Sequence, residues 1–317
     1  MKEKGNFLGN AITEIPLKEQ VLELKKKRNA VIVAHNYQLP EIQDMADYLG
    51  DSLGMARYAQ KSDADVIVIC GVHFMAESAA ILNPEKTVLI PDLEAGCSLA
   101  ECITADQLQA WKNGHPGAVV VAYVNTTAAV KALSDICCTS SNALKVVQSI
   151  PADKEILFIP DMYLGSWVRM QEPKRKIHLW NGSCHTHVRI RPEPIAELKK
   201  RHPKAEFLMH PECGCLTASM GLADHILSTD GIVRRAHESQ AKEFIIATEV
   251  GILHRLEKEN PGKKFYPAAE EASCEFMKKI TLEKVLWSLE DMQYKVTVPK
   301  ETAIAARKAL DRMMEVS

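Results

Sequence analysis

No apolar run in this sequence approaches the roughly 18 residues that would span a bilayer, and the opening MKEKGNFLGN lacks an apolar signal core. The expectation is a cytoplasmic protein with no membrane partner. Charge of one sign is also missing. The 39 Lys and Arg stand against 41 Asp and Glu, a formal charge of -2, which removes any general electrostatic reason to hold nucleic acid. Disorder is excluded too, because 46% of the 317 residues are hydrophobic and 25% charged, enough for a buried core in two or three domains. The nine cysteines lie in a chain too long to need disulfide staples. They read as reduced thiols serving as core residues, metal ligands or nucleophiles.

What is present is alternation. From about residue 31 the apolar runs VIVAHNY, VIVICG, TVLIPD, AVVVAYV, DICCTS, ILFIPD, KIHLW, AEFLMHPE, ADHILST, EFIIATE and KKFYPA are separated by helical stretches. Continuous runs of this kind suit strands buried on both faces, and the intervening segments suit crossover helices, so the fold class is α/β with parallel sheets. Helices are expected at 41–49, 53–61, 103–112, 141–149, 193–202, 232–240 and 281–293, many preceded by Ser, Thr, Asp or Pro.

The runs repeat. The polar residues that end the first strand of each candidate unit are His35, Tyr123 and His210, 88 and 87 residues apart. A hydroxyl follows in each, at Ser52, Ser140 and Thr229, after 17, 17 and 19 residues. A cysteine then follows the fourth run, at Cys97, Cys184 and Cys274, which are 62, 61 and 64 residues beyond the first landmark. A strand-end polar group, a hydroxyl and a thiol recurring in one order imply three similar small parallel-sheet α/β domains around a pseudo-threefold axis. The expected units are 1–111, 112–198 and 199–280, with C-terminal helices over 281–317 packing back on the body. Ligands of parallel sheets bind beyond the carboxyl ends of the strands, where these landmarks sit, so the site is expected at the central interface.

Three thiolates are one short of the four that close an iron–sulfur cluster or a structural zinc site, and the missing ligand leaves a position for substrate. Spacing does not choose between the two metals. Cys70, Cys137 and Cys138 lie inside apolar runs and read as core, and Cys102 falls in the expected first turn of a helix. The competitor is HPECGC, where His210, Cys213 and Cys215 could hold zinc in a hydrolase or lyase without any repeat. Ser52, Ser140 and Thr229 read singly as helix N-caps, and an N-cap beside free N–H groups also suits phosphate or carboxylate. His35 and Tyr37 in AHNYQ, Tyr123 and Asn125 in YVN, and His210 and Glu212 in HPE could together carry repeated proton transfers.

Taken together, AHNYQLPEIQDMADYLGDSL, VICGVHFMAESA, PDLEAGCSLAE, YVNTTAAVKALSDICCTSSNA, IPDMYLG, WNGSCHTH, MHPEC and CEFMKKITLEKVLWSLE resemble one family over nearly the whole chain, the quinolinate synthases of de novo NAD biosynthesis. The resemblance implies condensation of iminoaspartate with dihydroxyacetone phosphate to quinolinate, with loss of phosphate and two waters. It also implies a [4Fe-4S] cluster on Cys97, Cys184 and Cys274, and an aspartate oxidase or dehydrogenase as the possible source of the imine. By the same resemblance, His35 and Tyr37 handle the triose, Tyr123 and Asn125 contact substrate, Glu212 is the general base with His210 beside it, and Ser52, Ser140 and Thr229 hold phosphate or carboxylates. Position 271 is Glu, so the Cys-x-x-Cys that some relatives carry around the third ligand is absent here.

Overall fold

The computed structural model describes residues 15–316. The expected start of the first unit, residues 1–14, and the last residue, 317, lie outside that range. Twelve strands form among the described residues: β1 Ala30–His35, β2 Tyr48–Gly50, β3 Val66–Cys70, β4 Thr87–Leu89, β5 Val119–Tyr123, β6 Ile136–Cys138, β7 Ile156–Ile159, β8 Ile177–Leu179, β9 Glu206–Met209, β10 His225–Ile226, β11 Glu243–Ala247 and β12 Lys264–Pro267. They make three parallel sheets of four, ordered β2-β1-β3-β4, β6-β5-β7-β8 and β10-β9-β11-β12. The same order appears three times, with the second strand of each unit on the outer edge and the first beside the third. Val66–Cys70 is buried at every position, as a strand covered on both faces must be.

A repeated side-chain device fixes the register of each outer strand. Asp47 Oδ2 accepts the Ile32 N–H at 2.8 Å, Asp135 Oδ2 the Val120 N–H at 2.8 Å, and Asp224 Oδ2 the Phe207 N–H at 2.7 Å. The backbone N–H of each aspartate returns to the carbonyl of the same partner, at 2.8, 3.1 and 3.0 Å. Each aspartate precedes its unit's second strand and lies five residues before Ser52, Ser140 or Thr229. Val120 is fully buried. Asp135→Ala leaves its N–H without that acceptor and should cost about 1–3 kcal/mol of unfolding free energy, read from denaturant midpoints at unchanged slope.

The helix expected at 41–49 is corrected. Only Pro40–Gln43 is helical, and Tyr48–Gly50 pairs as β2 with Val33–His35. Tertiary pairing overrides the helical pattern there. The helix starts also differ from expectation. Asp51 and Ser228 are the N-caps, accepting the N–H of Gly54 and Gly231, so Ser52 and Thr229 occupy the first helical position; Asn142, not Ser140, precedes the helix Ala143–Ser149. Cys102 closes a 3-10 turn, Ala100–Cys102, rather than opening an α-helix. After the third sheet, helix Leu282–Asp291 packs on helix Leu17–Lys27. Lys295 bridges Leu89 antiparallel, and helix Lys300–Glu315 packs on helix Ala128–Ala132 and on β6.

Candidate active site

One cavity collects side chains from all three sheets. His35, Tyr37, Ser52, Tyr123, Asn125, Ser140, His210, Glu212, Thr229, Cys97, Cys184 and Cys274, the residues that the repeat and the resemblance single out, line it. Thr229 lies on its wall, while Ser228 Oγ is turned to the Gly231 N–H at 3.2 Å. Cys70, Cys137 and Cys138 are fully buried in strands, as core thiols should be. Cys213 and Cys215 are buried as well and pack in the hydrophobic core of the third sheet. The Cys213 sulfur faces the Ala247 carbonyl at 3.0 Å and that of Cys215 the Met209 sulfur at 3.8 Å, so neither joins His210 on the cavity wall.

The three cavity cysteines have matching surroundings. Each precedes a 3-10 turn, Ala100–Cys102, His187–Arg189 or Met277–Lys279. The Cys97, Cys184 and Cys274 carbonyls accept the N–H four residues on, at 3.2, 3.0 and 3.2 Å. Each sulfur meets the N–H groups two and three residues on: Leu99 and Ala100, Thr186 and His187, Phe276 and Met277. Burial pushes all three thiols up, Cys97 to about 12, and these N–H groups oppose it by favouring the thiolate. Three sulfurs so supported suit a soft metal centre.

The residues that follow the three cysteines meet as well. Ser98 Oγ lies 2.6 Å from His185 Nδ1, and His185 Nε2 lies 2.7 Å from Glu275 Oε2, which links the three cysteine loops in series. Gly182 lets the Cys184 loop come this close, since a Cβ there would sit 2.3 Å from the Pro160 carbonyl oxygen.

The polar wall opposite has directional hydrogen bonds. His35 Nδ1 accepts the Tyr37 N–H at 3.2 Å, and His210 Nδ1 accepts the Glu212 N–H at 3.4 Å. An imidazole accepting at Nδ1 carries its proton at Nε2, so both rings are donors, and His210 Nε2 lies 3.1 Å from Ser140 Oγ. Burial is the main reason that His35 is lowered to about 3 and His210 well below its usual value, which keeps both neutral. Glu212 is buried and pushed up to about 7, with the Tyr123 phenol drawing it part of the way back. Its Oε1 has no hydrogen-bond partner among the described residues. Burial, reinforced by the Glu212 charge, raises Tyr37 and Tyr123 and keeps both phenols protonated.

Several residues of this site were not singled out from sequence. His187 Nδ1 lies 3.0 Å from Glu212 Oε2 and 3.3 Å from the Cys184 sulfur, and these three donor atoms are close enough together to hold an ion. Its Nε2 is 3.0 Å from Thr248 Oγ1, which also hydrogen-bonds the Tyr37 hydroxyl. Glu249 accepts the Cys274 N–H at 2.9 Å and pairs with Lys278 at 3.0 Å, and Lys278 in turn reaches the Tyr37 carbonyl. Buried Lys131 donates to the Val124 carbonyl at 2.8 Å and to that of Thr126, fixing the turn that carries Asn125. His187 had a signal, being in the quoted WNGSCHTH three residues after Cys184. The others are dispersed, and no spacing marks them.

Comparison with known proteins gives one family. A family model described as quinolinate synthetase A protein matches residues 19–315. The quinolinate synthase of Thermus thermophilus is 57% identical over 314 residues, covering 98% of this chain and 99% of that protein. That of Pyrobaculum aerophilum is 53% identical over 305 residues, 94% and 99% of the two chains. That of Mycobacterium tuberculosis is 50% identical over 306 residues, 94% and 88%.

Proposed function

Because the chain belongs to the quinolinate synthetase A family, we propose that it condenses iminoaspartate with dihydroxyacetone phosphate to form quinolinate, releasing phosphate and two waters. The observation that carries this reading is the cavity in which three N–H-supported thiols face the donor imidazoles of His35 and His210 and the buried carboxylate of Glu212. Cys97, Cys184 and Cys274 would hold a [4Fe-4S] cluster. When bound, it would supply an iron with a free coordination position, a Lewis acid for the loss of hydroxyl groups.

The remaining work falls to side chains of this protein. Ser52, Ser140 and Thr229 supply hydroxyls for the phosphate and carboxylate groups of the two anionic substrates, two of them from the first turn of a helix. The buried Asn125 Oδ1, without a hydrogen-bond partner among the described residues, suits the imine N–H. The Nε2–H groups of His35 and His210 donate to oxygens that gain negative charge, such as the triose carbonyl. Glu212, anionic in part near neutrality and with one free oxygen, takes the carbon-bound protons released before each elimination. Tyr37 and Tyr123, held protonated, return protons to leaving oxygens.

Residues 1–111, 112–198 and 199–280 are proposed as the three units, with 281–317 as the closing segment. The imine would come from an aspartate oxidase or dehydrogenase in the cytoplasm. No helix among the described residues is long and apolar enough to cross a membrane. The test is an anaerobic incubation with dihydroxyacetone phosphate and iminoaspartate generated from aspartate in the same vessel. Quinolinate, followed by chromatography, should accumulate in step with free phosphate. Phosphate release without quinolinate, or neither product from iron-loaded protein, would reject the assignment.

A further inference from the structure

A second group of metal-ligating side chains lies outside the cavity, at the opposite end of the second sheet. His115 precedes β5, Glu155 immediately precedes β7, and His178 lies within edge strand β8. The cavity residues Tyr123 and Asn125 belong instead to the carboxyl end of β5. Glu155 Oε2 is 3.1 Å from His178 Nε2 and 3.5 Å from His115 Nδ1, and all three donor atoms lie within 4.8 Å of one another. The two rings are 4.4 Å apart, centre to centre.

Metal–nitrogen and metal–oxygen bonds of roughly 2.0–2.2 Å in a tetrahedron place neighbouring donors about 3.3–3.6 Å apart. The two carboxylate-to-imidazole separations fall close to that edge length already. The backbone holds the donors in place. Val119 N–H bonds to the Glu155 carbonyl at 2.8 Å, Ile156 N–H to the Lys176 carbonyl at 2.9 Å, and Leu157 pairs with His178. All three donor side chains are partly exposed, so a water could complete the fourth position.

We propose that His115, Glu155 and His178 form a binding site for a borderline-soft divalent cation of the zinc type, which clips edge strand β8 to the strand ends beside it. Two imidazoles and one carboxylate are a donor set that zinc accepts. Lys176 is the built-in competitor, since its ammonium pairs with the other oxygen of Glu155. The indole of Trp111 stands edge-on to His115, 6.0 Å between ring centres, and gives an optical probe within reach of the site.

The test uses tag-free protein with its cavity thiols occupied by assembled cluster, dialysed against buffered zinc, with bound zinc and iron counted together. One zinc per chain at unchanged iron is expected. His115→Gln with His178→Gln should lower zinc affinity at least tenfold, of the order that disturbing a metal's ligand environment produces. Lys176→Gln should raise it several-fold, and nickel should quench tryptophan emission in the native protein more than in the double variant. Zinc bound equally by the double variant, or absent at about 100 μM free zinc, overturns the site. Weaker binding in Lys176→Gln would show that the lysine organises the carboxylate and would also overturn the geometry proposed. Circular dichroism of each variant identifies loss of folding, and Glu155→Gln provides a second, more conservative lesion.

Discussion

Glu212→Gln is expected to lower turnover by about 10²–10⁴-fold while leaving iron content and substrate binding close to those of the native protein. The side chain is 3% exposed, so its replacement must fit a filled space, and glutamine does so with one atom exchanged. The amide retains an acceptor oxygen but has no basic carboxylate. Because Tyr123 and His187 pack against the same group, a general structural lesion is the alternative to a chemical one. The two separate in single-turnover experiments. A chemical role leaves the unfolding midpoint and substrate affinity intact and slows only the step after binding. Turnover within a few-fold of native would remove Glu212 as the base.

Loss of any one of Cys97, Cys184 and Cys274 should be more complete. Each alanine variant is expected to lose the broad visible absorption and brown colour of an iron–sulfur protein, most of its bound iron and all detectable quinolinate formation, because no fourth thiol among the described residues lines the cavity to take over. Cys102→Ser is the informative control. Its sulfur lies in the turn after Cys97, 3.3 Å from the Ser98 carbonyl, yet it does not line the cavity. It should retain iron and colour, as should Cys213→Ala. Full iron retention in any of the three cavity variants would break the ligand set.

The triplication could be read because its landmarks are chemically distinct and evenly phased, and the three strand orders repeat accordingly. The two extra residues between His210 and Thr229 complicated the third copy. They fall before Asp224, where the 3-10 turn Met220–Leu222 extends helix Leu216–Ser219, the counterpart of Pro40–Gln43 and Ala128–Ala132, and the five-residue step from Asp224 to Thr229 is unaltered. That constant step from Asp47, Asp135 and Asp224 was present in the sequence, but an aspartate before a short apolar run is too common to stand out alone. Segment 41–49 misled for a related reason: three strand residues are too few to outweigh a helical pattern until β1 is beside them. Glu249, Lys278 and Lys131 could not be found this way, because their importance lies in the backbone atoms they touch, for Glu249 and Lys278 in distant parts of the chain and for Lys131 in the turn just before it.

The backbone N–H bonds to His35 and His210 carry a consequence for the direction of proton traffic. With the ring nitrogen that could receive a proton already engaged, each imidazole can offer hydrogen to a reacting oxygen but can take one up only after giving its own away or breaking the backbone bond. The unoccupied oxygen of Glu212 is therefore a readier destination for protons leaving carbon than either of these two rings. The hollow is polarised before any reactant arrives, with the donor role of its two imidazoles assigned by main-chain N–H groups.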